Sequence, residues 1–128
     1  MSAGIWDFTI ESGATWQQHL LWKDATGAPV PLAGLTARLQ IRRNYAAFAA
    51  DGLVAELTTE DGGIVLTDPG QIDLALSAAA TSAIGQLGLT AGQHALEIVD
   101  PTVSPSRVTR LVEGRVTISQ EVAREAGG

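Results

Sequence analysis

Alternation constrains this chain more than any other feature. In LTARLQIR, residues 35–42, Leu35, Ala37, Leu39 and Ile41 share one parity, while Thr36, Arg38, Gln40 and Arg42 share the other. A period of two is the geometry of a strand with one face on a core and one on water. The pattern recurs in WDFTIE (Trp6, Phe8 and Ile10 against Asp7, Thr9 and Glu11) and in WQQHLLWK (Trp16, Leu20 and Trp22, interrupted by Gln18). It returns in LVAELTTE, IVLTD, QIDLALS and HALEIVD.

Turn residues separate these runs. Ser12-Gly13-Ala14, Asp61-Gly62-Gly63, Pro69-Gly70 and Thr90-Ala91-Gly92 read as turns, with 24–29 and 101–105 as loops. Glycine supplies positive φ and proline removes a ladder donor, so such residues punctuate strands. Asp61-Gly62-Gly63 predicts a hairpin between its two flanking strands. The last run, RVTRLVEGRVTISQEVAR, is long and charged. Val112, Gly114, Val116 and Ile118 fall on one face, and Leu111, Glu113, Arg115 and Thr117 on the other.

SAAATSAIGQL is the single helix candidate, with Ser77 as its cap and Gly85 as its stop. At about two turns it needs packing to persist. Short strands at regular spacing predict an all-β fold: an antiparallel β-sandwich, immunoglobulin-like or related, with one short helix over an open end. The expected core contains Leu35, Leu39, Ile41, Ile72, Leu74, Leu96, Ile98, Val116 and Ile118. The 128 residues suit a single sandwich domain over 1–118 followed by a C-terminal tail, 119–128.

Composition removes several function classes. With no cysteine there is no disulfide framework, thiolate metal site or cysteine nucleophile. A net charge of −6 argues against sequence-independent nucleic-acid binding, which needs a basic face. The start MSAGIWDFTIES has neither the basic region nor the apolar core of a signal peptide, and no apolar run is a membrane span. The expectation is a soluble protein made in a cytoplasm.

Few residues suggest chemistry. The two histidines, His19 and His94, both fall within predicted strands and lack metal-ligand spacing, so each reads as structural. Asp51, Glu56, Glu60, Asp61, Asp68 and Asp73 cluster in sequence, but in turns or on the polar parity of strands, where solvation is the default. Asp61-Gly62-Gly63 lacks the rest of a calcium loop, and no nucleophile elbow or phosphate loop occurs. The expectation is no enzyme, no cofactor and no metal. Trp6, Trp16 and Trp22 could form an aromatic platform for sugars, but their shared parity with apolar neighbours favours core anchors.

Two segments escape the alternation. The loop after Arg42 and Arg43 carries Tyr45 and Phe48, either docking knobs or residues tucked under the sheet. The tail carries Glu121, Val122 and Arg124, an aliphatic residue between charges. Apolar anchors rimmed by charge are the composition of interfaces, so these seven residues are the candidate partner contacts.

The order of motifs resembles a known family. FTIESGATW leads to LLWKDATGAPVPLAGLTARLQIR, then GIVLTDPGQIDLALSAAAT, GQHALEIVD and VTRLVEGRVTISQEVAR. This series is similar to small all-β structural proteins of tailed bacteriophages, found among tail, baseplate and fibre genes. Trp22, Asp24, Gly27, Pro29, Leu32 and Gly34 match the family's loop pattern. Thr36, Ala37, Arg38, Gln40, Ile41 and Arg42 match its TARxQIR strand. Arg110, Leu111, Gly114, Val116, Thr117, Ser119, Glu121, Val122 and Arg124 match its ending, with Ala123 where threonine is usual. Residues 43–52 match nothing in the pattern.

The resemblance implies a virion building block: an adaptor in a tail, baseplate or tail-fibre attachment network. Its partners would be other virion proteins, met in multiple copies of a symmetric assembly. The alternative is a carbohydrate- or receptor-binding module at the tail tip. Either would be made in the host cytoplasm and reside in the virion tail.

Overall fold

A computed structural model describes residues 4–43 and 52–120. Its strands are β1 (Gly4–Ile5), β2 (Phe8–Glu11), β3 (Trp16–Leu21), β4 (Thr36–Arg42), β5 (Leu53–Thr58), β6 (Ile64–Thr67), β7 (Gln71–Leu76), β8 (Ala91–Asp100) and β9 (Arg107–Ser119). One helix, α1 (Ala78–Gly85), joins β7 to β8. The larger sheet has the order β5-β4-β8-β9-β1, with β2 also on β9, and the smaller sheet has the order β3-β7-β6. The fold is an all-β sandwich of these two sheets.

The alternating residues build the core between them. Ile10, Leu39, Ile41, Leu96, Ile98, Val116 and Ile118 from the larger sheet join Trp16, Ile64, Ile72 and Leu74 from the smaller one in a single apolar cluster. Fully burying such a side chain stabilises by about 1.5–3 kcal/mol. Leu35 departs from expectation. It lies just before β4 and is only half-buried against the cluster, while Leu32 of the preceding loop is buried instead. The carboxylate of Asp68 holds that loop in place, accepting from the Leu32 N–H at 2.7 Å.

The 61–63 turn closes no hairpin, because it joins β5 of the larger sheet to β6 of the smaller one, and four further features differ from a simple antiparallel reading. β1 and β2 run parallel to β9, placing Gly4 beside Val112 and Phe8 beside Val116. The first strand is broken at Trp6 and Asp7, so WDFTIE is not one continuous run. The predicted turn at 90–92 is not a turn throughout, because Ala91 and Gly92 belong to β8. Glycine is required there by close approach: a Cβ on Gly92 would lie 2.8 Å from the Arg42 carbonyl oxygen.

The fourth difference is a bulge in β9. Leu96 pairs with Val112, but Glu97 pairs with Arg110, leaving Leu111 as the extra residue. Leu111 therefore packs against the core rather than standing on the charged face with Glu113. The bulge also puts Arg110 and Glu113 together on the outer face, where the guanidinium meets the carboxylate at 3.2 Å. Glu97 joins them from β8, 2.8 Å from Arg38 of β4 and 3.7 Å from Arg110. Arg110 and Glu113 of the long last strand thus belong to a ladder across three strands.

The helix covers one end of the sandwich. Ser77 caps it, its hydroxyl accepting from the Ala80 N–H at 3.1 Å. Thr81 is buried, and its hydroxyl accepts from the Gly13 N–H at 3.1 Å and donates to the Ala14 carbonyl at 2.8 Å. These bonds fix α1 to the turn between β2 and β3.

Candidate functional site

Strand direction gathers the two pattern-free segments at one end. β4 and β9 both run antiparallel to β8, so both finish at the same edge of the larger sheet. Arg42 pairs with Gln93, and Gln93 pairs with Arg115, so the three residues form one row across β4, β8 and β9. Adjacent strands are about 4.8 Å apart, which separates β4 from β9 by about 10 Å at this row. The chain passes into the 44–51 segment just beyond Arg42 and Arg43, and into 121–128 beyond Gln120.

Both departures are anchored. The Arg43 N–H donates to the Gly52 carbonyl at 3.0 Å. The Arg42 guanidinium donates to Gln40 at 3.1 Å, and Gln40 donates to Glu56 of β5 at 2.6 Å. At the tail, the Gln120 amide donates to the Leu89 carbonyl at 3.1 Å, and the Ile118 N–H donates to the Thr90 carbonyl at 2.9 Å. Of the candidate contacts, Arg42 and Arg43 stand at this end of the sheet. Tyr45, Phe48, Glu121, Val122 and Arg124 lie outside the described residues.

The two histidines occupy opposite environments. His19 is exposed on the outer face of the smaller sheet, its Nδ1 2.7 Å from Asp73 across the β3–β7 pair. His94 is 2 % exposed. Its ring lies 4.6 Å from that of Phe8 and 5.5 Å, edge-on, from that of Trp6. Its Nε2 bonds the main-chain carbonyl of Trp6. A carbonyl only accepts, so Nε2 carries the proton and Nδ1 is the bare nitrogen. Nδ1 is buried with no hydrogen-bond partner among the described residues. Burial pushes the imidazole below its ordinary value, against the opposing pull of the Trp6 carbonyl and the charges of Asp7 and Glu113.

The Trp6–His94 bond depends on a glycine. Gly114 lies opposite His94 on β9, and a Cβ there would overlap the Trp6 carbonyl oxygen. Asp7 finishes the junction, accepting from the Arg115 N–H at 2.8 Å. His94 shares the parity of Leu96 and Ile98, but that alternation carries no signal for its partner, because that partner is backbone.

The clustered carboxylates have local duties. Asp61 accepts from the N–H groups of Gly63 at 2.7 Å and Thr58 at 3.1 Å, which holds its carboxyl below the ordinary range. Asp68 holds Leu32, Asp73 meets His19 and Glu56 meets Gln40. Glu60 accepts from the Thr59 hydroxyl at 2.9 Å, and Asp51 lies outside the described residues. Among the described residues, no three His, Asp or Glu side chains gather as a metal site. Nor is any helix among them long and apolar enough to cross a membrane.

The tryptophans are used in packing. Trp16 is buried, while Trp6 and Trp22 are partly buried against the same core. Phe8 bridges two of them, with ring centroids 4.7 Å from Trp6 and 4.8 Å from Trp16. No family model matches the chain, and no curated protein matches it.

Proposed function

We propose that the chain is a structural adaptor of a tailed-phage virion, a binding module in the tail, baseplate or tail-fibre attachment network. The observation that carries this reading is the shared exit. The two segments whose composition the domain's own core does not explain leave the larger sheet toward one end, two strands apart, with β9 running on past the Arg42–Gln93–Arg115 row to Ser119. A loop with Tyr45 and Phe48, and a tail with Glu121, Val122 and Arg124, can then meet one partner surface together. The order of motifs shared with small phage structural proteins supplies the class of partner: other virion proteins, in repeated copies.

In this reading the work is binding without turnover. The sandwich is the rigid frame, and its outer charge ladder from Arg38 to Glu113 keeps the larger sheet soluble or pairs across an interface. A sugar-binding module at the tail tip would instead display aromatic rings on an open face. The packing of Trp6, Trp16 and Trp22 against the core favours the adaptor.

The test removes both segments from use. Residues 121–128 are deleted together with Tyr45→Ala and Phe48→Ala, in the purified protein and in the encoding phage genome. The expected result is an unchanged Tm with failed particle assembly. Normal assembly of particles containing the variant would reject these segments as the attachment surface.

A further inference from the structure

β1 is held weakly, and what lies behind it is titratable. The strand comprises only Gly4 and Ile5, and Ile5 is 76 % exposed. Beyond its pairing with Val112 and Glu113, the segment 4–7 is held by the Trp6 ring, which packs on Phe8, Trp16 and His94, and by a few hydrogen bonds. The Trp6 N–H donates to the Glu113 carbonyl at 2.9 Å, Asp7 accepts from the Arg115 N–H, and the Trp6 carbonyl accepts from His94. β2 has a longer register, four residues from Phe8 to Glu11 along Val116 to Ser119. β8, which carries His94, is fixed on both sides, by seven paired positions with β4 and ten with β9.

A proton added to His94 would go to Nδ1, the nitrogen without a partner among the described residues. The imidazolium would then hold an N–H and a positive charge inside an apolar box of Trp6, Phe8 and Ile41. A buried charge without hydrogen bonds is expensive, and water relieves it. The Trp6 carbonyl, Asp7 at the strand break and Glu113 on β9 favour the imidazolium, but burial outweighs all three. Asp7 and Glu113 also flank the segment that would move. On the remaining neighbours, β4 presents Ile41 and β9 presents Gly114 opposite the ring, neither of them charged. Arg42 and Arg115 belong to the opposite parity, on the outer face of the sheet. The ring can be exposed by separating β8 from its long ladders or by lifting residues 4–7, whose Trp6 carbonyl bonds Nε2 and whose Trp6 ring lies edge-on to the imidazole. The second route breaks fewer hydrogen bonds, at the cost of unpacking the partly buried Trp6 ring, and local opening follows the least costly unit.

We propose that His94 is a protonation-sensitive latch on the N-terminal strand: charging its imidazole frees residues 4–7 from β9 while β2 stays paired. Release uncovers the outer edge of β9 at Val112 and Glu113, where β1 had supplied the pairing.

The test is amide hydrogen exchange on the full chain, read by NMR at pH 8 and pH 5 and corrected for intrinsic rates. The reporters are the Trp6 and Arg115 amides, and the references are the amides of the β4–β8 ladder. The expected result is at least a ten-fold loss of protection at the reporters at pH 5, with the references unchanged. His94→Gln keeps a side-chain N–H for the Trp6 carbonyl but does not titrate, so reporter protection should become independent of pH. As a measurement on the unaltered protein, the midpoint of reporter opening should coincide with titration of the His94 ring protons. Equal reporter protection at both pH values would overturn the latch. So would equal loss at reporters and references, the same loss in His94→Gln, or midpoints that disagree.

Discussion

His94 on β8 donates its Nε2 proton to the carbonyl of Trp6, a residue 88 positions earlier in the chain. Gly114 makes the approach possible, since any side chain there would occupy the space of that carbonyl. Three distant pieces of sequence therefore meet at one point: the broken first strand, the centre of β8 and the middle of β9.

Gly114→Ala should destabilise the fold by about 1–3 kcal/mol, the usual cost of forcing atoms into a packed site. Gly4→Ala is the control, because a Cβ there meets Val112 at an ordinary 3.5 Å. Urea denaturation of both variants checks the difference. Equal midpoints would remove the steric role assigned to Gly114.

Thr81→Val preserves the shape of the side chain and removes its hydroxyl. The Gly13 N–H and Ala14 carbonyl then lose the partner that ties α1 to the β2–β3 turn. Leaving buried polar groups unsatisfied costs about 1–3 kcal/mol, and denaturant unfolding should show a loss in that range.

Stability should fall with acid in two separate windows. The folded-state value of His94 is depressed below its ordinary 6.5, so the unfolded chain binds the proton more readily. The corresponding stability is complete above pH 6.5 and is lost as pH falls from there through the lowered value. Asp24, Asp61 and Asp100 are depressed below 3.8, Asp24 and Asp100 chiefly by bonds from Thr26 and Thr102, and Asp61 chiefly by the Gly63 N–H. Their contribution is present above 3.8 and disappears as pH falls through their folded values. Unfolding free energy measured against pH should show both steps, and His94→Gln should flatten only the first.

Glu97→Gln should cost no more than about 1 kcal/mol and should matter less at high salt, because partly exposed ion pairs are weak and screened. Glu97 bridges Arg38 and Arg110, whose side chains are 46 % and 55 % exposed. Thermal melts at low and high ionic strength measure the effect. A loss of several kcal/mol would mean that the ladder acts as a buried network.

The sequence by itself determined the sandwich and most of its core. Period-two alternation specifies which face of a strand is buried wherever strands are short and turns are marked, so Leu39, Ile41, Ile72, Leu74, Leu96, Ile98, Val116 and Ile118 were legible as core residues. Ser77 as a cap was legible because capping is local chemistry. Alternation says nothing about which strand lies beside which. Only the tertiary structure put β1 and β2 parallel to β9, inserted the bulge at Leu111, and drew Ala91 and Gly92 into β8. It alone brought the ends of β4 and β9 to one edge and set the Trp6 carbonyl against His94. The physical reason is the same in each case. A strand's pleat is set by neighbouring residues, whereas its partners are chosen by backbone hydrogen bonds, which carry no side-chain signature.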